Sequence, residues 1–256
     1  SFEKYYQAKQ ELFRRTKNLH VLNADSPYVN LFLKFPAKKK LLCSLRSRPN
    51  FKTYLLGDFN KSNILLAAET VKNYDVDSTI IQKSLGKIRS IPGRMEFIDG
   101  GQDFKVVVDY AHTPQSLEQV YQTLKPQKSK LICVLGAAGG GRDKWKRPVL
   151  GEIAAKYCDQ IILTNEDPYD ENPTQILQDI EAGISDSRFP SSNLYEILDR
   201  KEAIKKAMTL AQKNDIIIIT GKGSETSIAV EDGRKIPWSD KEVVLELIKL
   251  IKEPNP

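Results

Sequence analysis

The spacing of apolar positions changes along the chain. Phe2, Tyr5, Tyr6, Lys9, Leu12 and Phe13 recur at helical spacing, and the short run from Leu19 to Leu22 has the length of a strand. The stretch from Pro36 to Phe51 carries Lys38 to Lys40 and scattered arginines without a period, which predicts loop and an edge strand. An Ala- and Leu-rich helix is predicted from Asn60 to Val71 and a second over Ser78 to Leu85. Pro92-Gly93 then breaks the pattern and marks the expected boundary between a domain of residues 1–92 and one of residues 93–256.

Beyond that boundary the pattern becomes regular. Strands are predicted at Lys105 to Asp109, Lys130 to Gly136, Gln160 to Thr164, around Leu194 to Leu198, and at Asp215 to Thr220. Between and after them fall helices from Pro114, near Pro148 to Tyr157, from Pro173, from Arg200 to Gln212, and from Asp240. This alternation predicts an α/β fold with a Rossmann-like, mostly parallel sheet covered on both faces. Thr113 ahead of Pro114 supplies a capping hydroxyl before a first-turn proline, and Ser239 with Glu242 fits a capping box. Asp232-Gly233 between apolar residues reads as a hairpin turn, so an antiparallel edge is expected.

Composition narrows the class. The 256 residues suffice for one large or two modest domains, at roughly 100 to 200 residues each. The longest uninterrupted apolar run, Ile216 to Ile219, is far below the ~18 residues of a membrane span. Lys plus Arg exceed Asp plus Glu by 39 to 33, a net +6 that would suit an anionic ligand such as a nucleotide. The basic residues sit in loops or scatter along helices, without the basic face and interleaved aromatics of a nucleic-acid binder. Cys43, Cys133 and Cys158 are odd in number and widely spaced, which predicts core residues of a reducing, cytoplasmic compartment with no disulfide and no metal cluster. The chain opens on Ser1 without a leader and reads as a piece of something longer.

In open parallel sheets ligands bind beyond the carboxyl ends of the strands, where loops converge and helix amino termini point. Here those ends carry Asp109 to Pro114, Gly136 to Lys144, Thr164 to Pro168, and Gly221 to Glu225. The Gly139 to Gly141 run allows close approach to an anion, with Arg142, Lys144, Lys146 and Arg147 following, or it is a flexible basic surface loop. Its spacing is not that of a Walker P-loop, G-x-x-x-x-G-K-[ST]. Gly221-Lys222-Gly223 reads equally as a plain turn. Asp109 suits a ribose hydroxyl pair or the capping of its own turn, and His112 beside it is by itself as compatible with a structural role.

Read together, these strings resemble the Mur ligases, and within them the MurE branch. The matching segments are Gly57-Asp58-Phe59-Asn60-Lys61-Ser62-Asn63, Pro92-Gly93-Arg94-Met95-Glu96, Asp109 to Pro114, Gly140-Gly141-Arg142-Asp143-Lys144 with Lys146-Arg147-Pro148, and Gly221-Lys222-Gly223 with Glu225. They occur in the family's order from residue 57 onward. Tyr6-Gln7-Ala8-Lys9 resembles the family's helix whose lysine is carbamylated, where residues alone would read Lys9 as an ordinary solvated lysine.

The resemblance implies ATP-dependent ligation of an amino acid to UDP-N-acetylmuramoyl-L-alanyl-D-glutamate through an acyl phosphate, by a monomer. It implies that carbamylated Lys9 helps hold Mg2+, that Asn60 and Asn63 face the adenine, that Arg94 reaches the phosphates, and that Asp109 holds the ribose near His112. Arg142, Glu166, Asp167, Pro168, Tyr169, Gly221 and Glu225 would surround the incoming amino acid. The family's P-loop and UDP-sugar domain have no counterpart in this sequence, so residues 1–92 are expected to be the end of the central ATP-binding domain and the chain alone to be inactive. The segment between Asp25 and Gly57 is shorter than the family's. Where diaminopimelate-adding members carry Asp-Asn-Pro-Arg, this chain has Glu166-Asp167-Pro168-Tyr169, so the expected amino acid is L-lysine or another diamino acid. Ser224 stands where the family usually has histidine. Folylpolyglutamate and cyanophycin synthetases, and a non-catalytic nucleotide or amino-acid binding module, are the alternative readings.

Overall fold

The computed structural model describes residues 2–47, 51–185 and 187–252. The chain divides into two compact units, residues 1–89 and 90–256.

The first unit begins with α1 (Phe2–Arg15), which ends just beyond the predicted Phe13. The strand β1 (Leu19–Asn23) follows, then the short α2 (Asn30–Leu33) and β2 (Lys39–Cys43). β1 and β2 pair in parallel from Leu19 opposite Lys39 to Asn23 opposite Cys43. The aperiodic stretch predicted as loop and edge strand thus contains β2, while its residues 48–50 lie outside the described residues. α3 (Asp58–Lys72) buries Ile64, Leu65 and Ala68 and packs on both strands. α4 (Ser78–Leu85) starts on Asp77, whose carboxylate accepts the Thr79 N–H at 2.7 Å and satisfies an otherwise orphaned first-turn donor.

In the second unit, β3 (Glu96–Ile98), β4 (Lys105–Val108), α5 (Pro114–Leu124), β5 (Leu131–Leu135), α6 (Lys146–Tyr157), β6 (Gln160–Leu163), α7 (Pro173–Ser185) and β7 (Leu194–Glu196) come first. They are followed by α8 (Arg200–Leu210), β8 (Ile216–Ile219), β9 (Ser227–Ala229), β10 (Lys235–Pro237) and α9 (Asp240–Lys252). Among the described residues, six strands form one sheet in the order β3-β4-β8-β5-β6-β7. All neighbours are parallel except β3 against β4. The central strands β5 and β8 are buried at every position, as expected when helices cover both faces. On one face Val106, Val108, Ile132, Val134, Ile162, Ile217 and Ile219 pack against Ala203, Ile204, Ala207 and Met208 of α8 and Val244, Leu247 and Ile248 of α9. The intervening strand residues point to the opposite face by the two-residue period of a strand. The Thr113 cap is present as a reciprocal box with Ser116, and Ser239 Oγ accepts the Glu242 N–H at 3.3 Å.

Two expectations are corrected. The hairpin around Asp232-Gly233 exists, but β9 and β10 form a separate two-stranded sheet, and the antiparallel edge of the main sheet is β3. Its three residues are too few to give a period next to the Pro92-Gly93 break. The expectation of no disulfide also fails: Cys133 in β5 and Cys158 at the end of α6 are joined, with Cα atoms 6.1 Å apart, while Cys43 is free and buried. The 25-residue separation hid this pair, because α6 folds back along β5 and returns its last residue to that strand. No helix among the described residues is long and apolar enough to cross a membrane.

α6 and α7 approach so closely that a Cβ at Gly151 would collide with the Ile180 carbonyl oxygen, and one at Gly183 with the Pro148 carbonyl oxygen. Both obstacles are backbone and cannot swing aside. Gly183→Ala is therefore expected to cost about 2–3 kcal/mol through overpacking, read as a lower urea midpoint at unchanged m-value, whereas Ala at Gly86, with φ −65° and its nearest neighbours at an ordinary 3.6 Å, meets no such obstacle.

Candidate functional site

In the second unit the carboxyl ends of β4, β5, β6 and β8 bring the predicted residues into two groups. The first stands at the end of β4. Asp109 is 5% exposed, and its two carboxylate oxygens accept the backbone N–H groups of Met95 and Ala111, each at 2.7 Å. Burial raises its pKa in spite of those bonds. The turn-capping role is thus filled, and each oxygen keeps a further lone pair. Arg94 is exposed and its guanidinium lies 4.3 Å from the centre of the Tyr110 ring. His112 stands edge-on to the same ring at 4.7 Å, and its Nδ1 is 2.8 Å from the Tyr110 carbonyl oxygen. A carbonyl only accepts, so Nδ1 carries the proton in this arrangement and Nε2 is left as the other ring nitrogen.

The second group spans the loops after β6 and β8. Lys222 is 1% exposed; its ammonium donates to both oxygens of Asp167 at 2.8 Å and lies 2.6 Å from Glu225. Burial pulls its pKa down, but the two carboxylates outweigh this and leave it raised. Asp167 also accepts the Ala229 N–H at 2.7 Å, and Glu225 accepts the Tyr110 hydroxyl at 3.2 Å, which joins the two groups. Glu166 differs from its acidic neighbours. It is buried, its Oε2 has no hydrogen-bond partner, and no ion pair reaches it among the described residues. Burial pushes its pKa up to about 7 against the pull of Arg200, Lys146 and Lys222. Gly221 (φ 101°) makes room for it, since a Cβ there would collide with Glu166 Oε2.

The loop after β5 is held to these two groups. Lys146 donates to the His112 carbonyl at 3.0 Å, and burial lowers its pKa. Gly139 N–H donates to the Asp167 carbonyl at 2.7 Å, and Gly139 faces the Pro168 carbonyl so closely that no Cβ fits. Tyr169 adopts φ 51° and lays its ring against Gly140. Arg142 follows with an exposed side chain and donates its N–H to the Gly139 carbonyl at 3.2 Å.

The remaining predicted residues belong to the first unit. Lys9 is exposed on α1 with its ammonium 5.4 Å from the Tyr5 ring centre. Asn60 is buried, and its side-chain amide donates to the Leu56 carbonyl at 2.7 Å; Asn63, one helical turn on, is exposed. Among the described residues no group of three or more His, Cys, Asp or Glu side chains is arranged to hold a metal ion.

Sequence reasoning did not single out Arg200 and Asp240, which are both fully buried and joined by two 2.8 Å bonds. It likewise missed the roles of Lys146, Lys222 and Glu171 and the buried Arg147, which pairs with Glu171 at 3.0 Å and Asp179 at 2.9 Å. A charged residue at the start of an apolar helix face was the available signal: Arg200 is in line with Ala203, Ile204 and Ala207, and Asp240 with Val244, Leu247 and Ile248.

Comparison with known proteins points the same way as the strand-end loops. Residues 93–223, just over half of the chain, match the family described as Mur ligase, glutamate ligase domain. A UDP-N-acetylmuramoyl-L-alanyl-D-glutamate--2,6-diaminopimelate ligase 1 of Clostridium acetobutylicum is 35% identical over 97% of this chain and 56% of its own length. The corresponding ligase of Syntrophomonas wolfei is 41% identical over 76% of this chain and 39% of its own. The chain thus spans about half the length of these curated relatives. A solved UDP-N-acetylmuramoyl-L-alanyl-D-glutamate--2,6-diaminopimelate ligase superposes with a TM-score of 0.60 at 30% identity, covering 99% of this chain and 58% of that one. A pseudomurein peptide ligase type C from Methanothermus fervidus shares the fold, with a TM-score of 0.68 at 20% identity over 98% of this chain and 60% of that one. With its ordered strand-end loops and a family match over the second unit, this chain belongs to the Mur ligase family.

Proposed function

We propose that this chain forms the nucleotide-closing and amino-acid-selecting half of an ATP-dependent ligase that joins an amino acid to UDP-N-acetylmuramoyl-L-alanyl-D-glutamate through an acyl phosphate. Residues 1–92 are the end of its central ATP-binding domain and residues 93–256 its carboxyl-terminal domain. In this reading Asn60 and Asn63 face the adenine, Arg94 the phosphates, Asp109 the ribose, and His112 lies near the nucleotide. Lys9, as a carbamate, offers oxygen donors of the type magnesium prefers, with phosphate and water oxygens as its complement. Magnesium bound there would offset negative charge on the reacting phosphate.

The observation that carries the amino-acid side is the unpaired Glu166. Lys222 is shared between Asp167 and Glu225, and of the three acidic residues at this sheet edge Glu166 is the one with no salt bridge among the described residues, which leaves it for an ammonium. A buried carboxylate without a partner is costly, and an incoming side-chain amine removes that cost. Tyr169 stands where a diaminopimelate-adding relative would carry its arginine, and it offers no cation for a distal carboxylate. The reading therefore favours L-lysine or another diamino acid, in contrast to the diaminopimelate named for the relatives. In this reading Arg142, Pro168, Tyr169, Gly221 and Glu225 surround the same amino acid. A non-catalytic nucleotide or amino-acid binding module is the second reading.

Amino-acid-dependent phosphate release tests the division of labour. The isolated chain with ATP, Mg2+ and the UDP-muramoyl dipeptide is expected to give none, and robust release would overturn the assignment of this chain as half of the machine. A protein carrying this chain together with a nucleotide-binding P-loop should turn over with L-lysine in preference to meso-diaminopimelate. Equal or better activity with diaminopimelate rejects the selectivity, and binding of lysine without turnover favours the binding module.

Glu166 gives a pH signature. Its folded pKa of about 7 lies above the ordinary 4.5, so between those values the folded chain binds a proton that the unfolded chain has released. Stability contributed by the protonated group is then full below 4.5 and declines as pH rises toward 7. E166Q should remove that decline, by a few kcal/mol at most, in urea titrations from pH 4.5 to 8. Lysine affinity of the wild-type chain should move oppositely, weakening about tenfold per pH unit below 7 as the carboxylate protonates.

A further inference from the structure

We propose that Glu171 is a positioning residue for the amino-acid side of the site: its carboxylate latches the Gly-rich loop after β5 onto the loop after β6. The functional half of this inference rests on the reading given under Proposed function.

The latch has contacts on both carboxylate oxygens. Oε1 accepts the backbone N–H of Gly141 at 3.3 Å, and Oε2 lies 3.1 Å from the Lys144 ammonium and 3.0 Å from Arg147. Arg147 is 1% exposed and reaches back to the Ala138 carbonyl at 3.3 Å, so both ends of the 138–147 segment meet on one side chain. Glu171 belongs to the same loop as Asp167, Pro168 and Tyr169, and its own N–H donates to the Pro168 carbonyl at 3.1 Å. It therefore ties the residues proposed to frame the amino acid to the loop that ends in Arg142.

That segment needs a tether. Gly140 and Gly141 take φ of 62° and 75°, and nothing lies within 4 Å of a Cβ built at Gly141. Successive glycines lose much backbone freedom on ordering, and at Gly141 no neighbouring side chain packs to offset it. Arg142 is the next residue, so the position of its backbone follows from where the Gly141 N–H is held. Partial burial works against ionisation of Glu171, but Arg147, Lys144 and the Gly141 N–H outweigh it and bring its pKa to about 2. The latch is consequently charged throughout the range in which the site would operate.

Glu171→Gln separates this role from general stabilisation. The amide has one oxygen and one NH2 group, so it cannot accept from Gly141 on one side and from Arg147 and Lys144 on the other. Asp179→Asn serves as control, because Asp179 shares Arg147 with Glu171, at 2.9 Å, but bonds neither Gly141 nor Lys144. Amide hydrogen exchange in the full chain, followed by NMR, should show Gly141 and Arg142 exchanging at least tenfold faster in E171Q and within about twofold of wild type in D179N. Equal exchange in E171Q and wild type, or equal acceleration in both variants, overturns the latch. This readout needs no ligand, so it decides the inference whether or not the proposed reaction is found. In a ligase assay of the protein carrying this chain and a P-loop, E171Q should raise the amino-acid KM about tenfold and leave kcat and the ATP KM within twofold. An unchanged amino-acid KM beside accelerated exchange would overturn the functional half alone.

Discussion

The second unit depends on one buried guanidinium. Arg200 and Asp240 open α8 and α9, and both side chains are fully enclosed. Removing two opposite charges from water is costly unless every donor and acceptor finds a partner. Here Nε and one terminal nitrogen of Arg200 bond Asp240 at 2.8 Å each, and Trp238 donates its indole N–H to the same carboxylate. Two further donors go to the carbonyls of Asn165 at 3.1 Å and Thr220 at 2.8 Å. These two carbonyls immediately precede Glu166 and Gly221, the residue that must be glycine to admit the Glu166 carboxylate. One side chain thus fixes the ends of β6 and β8 together with the starts of the two helices behind them. Replacing only one partner would leave a charge stranded in that space, a loss larger than the net worth of the pair.

From that anchor the charges at the sheet edge fall into order. Lys222 sits between Asp167 and Glu225, and Tyr110 donates to Glu225, so the loop after β8 is joined to the end of β4 as well as to β6. Glu166 receives only longer-range help from Arg200, Lys146 and Lys222, and burial prevails. Two acids within a few residues of each other therefore have opposite characters: Asp167 is saturated with partners, while Glu166 is poised to gain or lose a proton near neutrality. Buried acids with a strongly raised pKa, such as Glu166, cluster at functional sites.

Much of the fold was legible because its signals are local. α5, with Thr113 and Pro114 at its start, and the central strands follow directly from spacing, capping residues and short apolar runs. The strand-end loops were equally legible as glycine and charge clusters. What the sequence did not disclose is pairing at a distance. Arg200 with Asp240 spans 40 positions and Lys222 with Asp167 spans 55, and no period or motif links residues so separated. For the same reason Glu166, Asp167 and Glu225 looked equivalent as acids until their partners were known. Cys133 and Cys158 looked unrelated because their proximity depends on the return of α6 along β5. β3 escaped notice for a different cause: a three-residue strand beside a turn carries too few positions to show alternation.

The same pairing logic bears on which amino acid the site would accept. A distal carboxylate on the incoming molecule needs a cation free to meet it, preferably with the fork geometry of arginine. Tyr169 offers none, and its ring is held against Gly140 by a left-handed backbone and by its N–H bond to the Ala229 carbonyl at 3.1 Å. Arg147 and Lys144 stand close by in sequence to the glycine loop, but both are engaged by Glu171. Lys222 is engaged by two carboxylates and Lys146 by the His112 carbonyl. Arg142 is exposed, and in the proposed reading it would be taken up by the α-carboxylate that every amino acid brings. A second carboxylate on the ligand would then have to displace an existing ion pair, whereas a second ammonium would meet Glu166, which has no pair to lose.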